Sequence, residues 1–159
     1  MNKNFSYLSV LFCLFFVPAV WGKIPQDRVV PTIEIDRAEF GIFNPPESGK
    51  PFFIPTKSVP FIENQGYGWL IVLKTNKLKV RWREEFTLPS SPKTWGEDET
   101  QGLTLSHDRK TSVLEREEKL DRGMIFNVWT VAPGDPQGRY VICVIIDGMV
   151  ERTFEFDVQ

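Results

Sequence analysis

Cysteine, histidine and methionine are all scarce: the chain of 159 residues has 2, 1 and 3 of them. With so few thiolate, imidazole and thioether ligands, no cluster able to hold zinc or a transition metal is visible. The acidic stretch Glu97-Asp98-Glu99 with Thr100 lacks the spaced carboxylates and sharp glycine of a calcium loop and reads as a solvated loop. Glycine-rich phosphate cradles are missing as well, since Gly66-Tyr67-Gly68 runs into a strand pattern and not a helix. Neither a metal nor a cofactor is expected. No period of 20 to 50 residues recurs, which excludes a solenoid or propeller.

A basic excess is also missing. The chain has 19 Lys and Arg against 21 Asp and Glu, and no nucleic-acid binder is expected from that balance. The longest apolar run, Leu8 to Val20, falls short of the roughly 20 residues that span a bilayer. Preceded by Lys3 and followed by Val20 and Gly22 at small-residue positions, it reads as a cleaved signal peptide over residues 1–22. Phe12 before Cys13 argues against lipidation. Residues 23–159 are then a single exported domain, periplasmic or extracellular, with no stable membrane span. Once the leader is removed, Cys143 has no intramolecular partner, so no disulfide staples the domain.

What the chain does have is strand signal with frequent punctuation. Ile33 and Ile35 share one parity, while Ala38, Phe40 and Ile42 hold the other. A bulge, or a crossing from one sheet to another, produces such a flip. Residues 44–65 contain five prolines, which exclude a helix and disfavour a central strand. An extended segment covering a sheet edge is expected, with Phe52, Phe53 and Phe61 on it. In residues 77–88, Leu78, Val80, Trp82, Phe86 and Leu88 share one face, and Lys77, Lys79, Arg81 and Arg83 the other. This alternation marks a half-buried antiparallel strand. Glu84 falls on its apolar face, where a rim position, a salt bridge or a bulge accounts for it more simply than a functional buried carboxylate. Residues 112–120 fit a short capped helix or a strand ending in a charged turn, and the strand is preferred.

Asp147-Gly148 between two β-rich runs predicts a two-residue hairpin turn of type I′. In the first run Tyr140, Ile142, Val144 and Ile146 face one way, and Val141, Cys143 and Ile145 the other. Both faces are apolar, so a central strand with Cys143 as an inert, buried packing residue is expected.

The stretch "PGDPQGRYVICVIIDG", residues 133–148, resembles the turn entering the penultimate strand of immunoglobulin-like domains. The resemblance implies that Asp135 and Gly138 shape the turn and that Tyr140 bonds its hydroxyl back to a nearby backbone group. The span from Phe40 to Val158 is also similar to a family of small exported bacterial proteins without assigned activity. The expected fold is all-β: an immunoglobulin-like antiparallel β-sandwich of about seven to eight strands. The paired cysteines of antibody domains are absent.

Catalysis has little to build on. Ser106-His107-Asp108 holds the lone histidine, but three sequence neighbours do not converge as a triad and fit a hairpin turn. Two surface features remain. The cationic row Lys77, Lys79, Arg81, Arg83 either meets an anionic partner or is neutralised by Glu151, Glu155 and Asp157 on the last strand. The aromatics Phe52, Phe53, Phe61 and the loop residue Trp95 offer protein-binding anchors. The expected function is a non-enzymatic exported binding or accessory module with a protein partner. The alternatives are a glycan-binding module stacking sugars on Trp95, and a hydrolase centred on His107.

Overall fold

The computed structural model describes residues 32–49, 51–95 and 102–159. The leader expected at 1–22 and the acidic stretch 97–100 lie outside the described residues. Among the described residues ten strands are formed: β1 (Ile33–Phe43), β2 (Phe53–Pro55), β3 (Ser58–Val59), β4 (Gly66–Thr75), β5 (Lys79–Thr87), β6 (Leu103–Leu105), β7 (Thr111–Lys119), β8 (Met124–Thr130), β9 (Gly138–Ile146) and β10 (Val150–Val158). Seven of them have seven residues or more; β2, β3 and β6 are fragments of two or three.

The strands make two sheets, one ordered β2-β1-β4-β8 and the other β3-β10-β9-β5-β7-β6. Every pairing is antiparallel except β3 with β10. The inner faces share one core. Tyr67, Trp69 and Ile71 of β4 and Ile125 of β8 meet Val80, Trp82 and Phe86 of β5, Tyr140, Ile142 and Val144 of β9, and Phe156 of β10. Large apolar side chains on alternate positions of facing strands contribute about 1.5–3 kcal/mol each on burial.

The parity flip in β1 is a bulge: its register against β4 shifts between Ile35 and Arg37. The proline-rich segment does cover an edge, and in fact two. β2 pairs with β1 at the rim of the four-stranded sheet, and β3 pairs with β10 at the rim of the other. Residues 111–119 are strand throughout, with Ser112 and Leu114 turned inward.

Three expectations need correction. Leu78 is 85% exposed, because β5 begins only at Lys79 and Leu78 sits in the turn before it. β9 is central, between β10 and β5, but Cys143 is only half-buried. Its face of the six-stranded sheet looks away from the core, and Val141, Cys143 and Ile145 form an apolar strip among charged neighbours. At the β9–β10 turn, Asp147 and Gly148 have φ of 50° and 67°, the positive values that a type I′ turn requires. Yet pairing resumes at Val150 with Ile146, which leaves Met149 as an extra, exposed residue.

Candidate functional site

Alternation along β5 aims Glu84 at the interior between Trp82 and Phe86. The strand is paired continuously there, with Leu114 on one side and Val144 on the other. None of the simple accounts holds: Glu84 is fully buried, away from any rim or bulge, and makes no salt bridge among the described residues. The four-stranded sheet supplies its partners from across the core. Trp69 Nε1 of β4 donates to Oε2. Trp129 Nε1 of β8 donates to Oε1 at 2.8 Å. Asn127 Nδ2, also on β8, donates to both oxygens at 3.2 Å. A carboxylate is the one side chain that accepts at both ends, so this donor set specifies Glu84. Burial raises its pKa, and the bonds from Trp69, Asn127 and Trp129 with the more distant Arg116 pull it back only in part.

Beyond Trp129 lies a pocket of about 100 Å³ whose lining includes Tyr67, Phe86, Trp95, Trp129 and Asp135. Trp95, expected on an exposed loop, instead folds back on the core end. Its ring meets Phe86 and Trp129 edge-on, and its Nε1 donates to the Arg109 carbonyl at 2.9 Å.

The second feature is the outer face of the four-stranded sheet. Phe43 of β1 is buried there, outside the sandwich core, by Phe52, Phe53 and Phe126. Phe52 is 56% exposed, and Phe126 and Val128 are each 39% exposed. Adjacent Phe52 and Phe53 do not both turn inward; Phe53 is half-buried at the β2 edge. Phe61 lies elsewhere, exposed beside the β3 edge, with its N–H donated to the Gln159 carbonyl. The floor of this face carries Gly41 and Gly68, which let strands close up: a Cβ on Gly68 would sit 2.0 Å from the Asn127 carbonyl oxygen.

The cationic row occupies the outer face of the other sheet, so the phenylalanines and the basic row look out from opposite sides of the sandwich. The row is largely neutralised, by different acids from those expected. Lys77 pairs with Asp147, Lys79 with Glu117, and Arg83 with Glu85 and Glu115. β9 lies between β5 and β10, which holds Glu151, Glu155 and Asp157 a strand too far away; Glu155 pairs with Arg139. Arg81 offers its backbone N–H to Asp147 Oδ1 at 2.7 Å. Although burial opposes it, the Lys77 ammonium and the Arg81 N–H together hold the Asp147 carboxyl below its usual range.

Ser106, His107 and Asp108 form the β6–β7 turn. The Ser106 hydroxyl donates to Asp108 Oδ1 at 2.7 Å and accepts from the Thr111 N–H at 3.0 Å. His107 is exposed. At the turn into β9, Tyr140 donates its hydroxyl to the Pro136 carbonyl at 2.6 Å. Asp135 Oδ2 accepts the Ala132 N–H at 2.8 Å, and Gly138 has φ 133°. Burial pushes the Tyr140 phenol well above its ordinary range.

Two sheets, antiparallel but for the short β3, a tyrosine bonded back across the turn into the penultimate strand and a tryptophan-rich core define an immunoglobulin-like β-sandwich. An immunoglobulin-like protein of Pseudomonas aeruginosa, PA1606, has a similar structure: TM-score 0.52 at 20% identity, over 80% of this chain and 97% of that one. At that identity the likeness speaks to fold alone. Residues 38–159 match the PM0630 beta sandwich domain, and the chain belongs to that family. Among curated proteins nothing matches.

Proposed function

We propose that this protein is an exported, non-enzymatic binding module that captures an extended, uncharged apolar strand of a protein partner along β8 and the face beside it. One observation carries the reading. Among the described residues, three of the four sheet edges end in fragments of two or three residues: β2, which closes on Pro55, β3 and β6. The fourth edge is β8, seven residues reading MIFNVWT, without charge or proline. Long, uncharged edges invite strand addition, and sandwiches ordinarily blunt them. On β8, Phe126 and Val128 continue the apolar outer face formed by Phe43, Phe52 and Phe53. A partner strand therefore finds backbone hydrogen bonds along the edge and apolar contact beside it. The partner is uncharged at the contact because Phe43, Phe52, Phe53, Phe126 and Val128 carry no charge, while the Arg37–Glu39 and Lys74–Asp36 pairs lie further along β1 and β4. Export rests on the leader-like residues 1–22.

The test is affinity capture from envelope extract, followed by hydrogen–deuterium exchange on the captured complex. Partner binding should slow exchange at the β8 amides, and Val128→Lys should abolish capture while stability changes by no more than about 0.5 kcal/mol, as for most surface substitutions. A partner that leaves β8 exchange unchanged, or that still binds Val128→Lys, rules this reading out.

A further inference from the structure

The structure assigns a second site, at the end of the core: we infer that the pocket walled by Tyr67, Phe86, Trp95 and Trp129, with Asp135 among its lining, binds a small organic cation of the methylated-ammonium class. The inference is independent of strand capture by β8.

The lining decides the sign of the ligand's charge. Its aromatic and charged members are four rings and one carboxylate, beside Leu88, Pro92, Thr94, Thr130 and Ala132, and among the described residues it has no lysine, arginine or histidine. Aromatic faces are the negative ends of ring quadrupoles and attract a cation within about 6 Å of the centroid. The rings stand as walls, not as a stack: Trp95 meets Phe86 at 84° and Trp129 at 73°, and Tyr67 meets Phe86 at 68°. Their centroids lie 5.8, 6.2 and 6.4 Å apart in the same order. Both indole N–H groups are committed elsewhere, Trp129 to Glu84 and Trp95 to the Arg109 carbonyl. The tryptophans thus present the pocket with ring surface and no donor, which suits a cation.

Size narrows the class further. A volume of about 100 Å³ is roughly that of three water molecules, room for a headgroup but not for a pyranose. A bare alkali ion would surrender its hydration for rings and a single carboxylate. A methylated ammonium is weakly hydrated and fills the space with methyl groups. Asp135 spends Oδ2 on the Ala132 N–H and has no cationic partner among the described residues. Burial raises its carboxyl pKa, a cost that a bound cation would offset.

The probe is tetramethylammonium chloride, titrated into the protein against sodium chloride at equal ionic strength, with the indole N–H resonances as readout. Saturable shifts of the Trp95 and Trp129 signals are expected. The neutral isostere of choline, 3,3-dimethylbutan-1-ol, should bind at least ~10-fold more weakly than choline, because it lacks the cation–ring attraction. Asp135→Asn and Trp95→Leu should each weaken tetramethylammonium about tenfold, and Trp95→Phe, which keeps a ring, should retain most binding. Free choline and phosphatidylcholine vesicles form two further arms. Binding to choline alone makes the ligand a soluble molecule, and binding to both makes it a lipid headgroup. No saturable shift, equal affinity for the neutral isostere, or unchanged binding in both weakening variants overturns the assignment. Since β8 capture is read at a different face, failure here leaves that reading standing.

Discussion

A carboxylate taken wholly out of water costs several kcal/mol unless its lone pairs are met, and Glu84 meets this cost with three side-chain donors and, among the described residues, no salt bridge. One substitution and its pH dependence separate the contributions. In Glu84→Gln one oxygen becomes an NH₂ group, which turns two donor hydrogens toward Trp69, Asn127 or Trp129, and the loss should be about 1–3 kcal/mol in urea unfolding at about pH 4, where this group contributes most. The pH dependence follows from the raised pKa. Folded Glu84 keeps its proton at pH values where the unfolded chain, titrating near 4.5, has already lost it. Folding therefore takes up protons, and the stability from this group falls as pH rises from about 4.5 through the folded value. The difference between wild type and Glu84→Gln, followed from pH 4 to 8, should shrink on that rise; a constant difference would contradict a raised carboxyl. Tyr140→Phe tests a second internal polar bond. Removing the hydroxyl leaves the Pro136 carbonyl without this donor and should cost about 1–2 kcal/mol, read as a lower urea midpoint with an unchanged slope.

At the scale of strands, Gly68 links the outer face to the buried carboxylate. A methyl group there would fall 2.0 Å from the Asn127 carbonyl oxygen, so Gly68→Ala must push β4 from β8 and should cost about 3 kcal/mol, the upper end for overpacking. Because Asn127 and Trp129 ride on β8, the same change should disturb tryptophan fluorescence; a variant as stable as wild type with an unaltered spectrum would refute the close approach. This coupling also shows what the sequence made legible. Strand periodicity is local, so the bulge in β1, the alternation of β5, the central place of β9 and the edge role of the proline segment were all readable. Partners are set by sheet order, which alternation does not encode. The basic row was matched to the acids of β10 because nothing local placed β9 between them. Glu84 stood out as a charge on an apolar face, but its donors lie 15, 43 and 45 residues away. The one available signal was its coincidence with the indoles of Trp69 and Trp129 and the amide of Asn127, polar groups on strands that are otherwise apolar. Trp95 read as exposed because its neighbours are polar, whereas its ring answers to Phe86 and Trp129.

Across the whole molecule, the proline-rich segment closes the sandwich without a disulfide. β2 pairs with the rim of one sheet and β3 with the rim of the other, so residues 53–59 tie the two sheets together in addition to the chain crossings at β4–β5, β7–β8 and β8–β9. Val59 anchors the second half of this tie: it is fully buried, and its carbonyl accepts the Gln159 N–H at 3.0 Å. Pro55 and Pro60 stiffen the segment on either side, which lowers the entropy lost on docking. Val59→Asp places a carboxylate in the core without a partner and should cost at least about 3 kcal/mol. The form of the loss matters more than its size. If the segment is integral to one shared core, far-UV circular dichroism and tryptophan fluorescence should report the same shifted urea transition, because losing the tie loosens both sheets at once. If it is a detachable flap, Val59→Asp should leave the main transition near its wild-type midpoint, with faster amide exchange confined to residues 53–59 and the strand edges they cover. Val59 belongs to the same cluster as Phe40 and Phe156, whose rings stack at 3.9 Å across the two sheets, and on that packing we expect a single coincident transition.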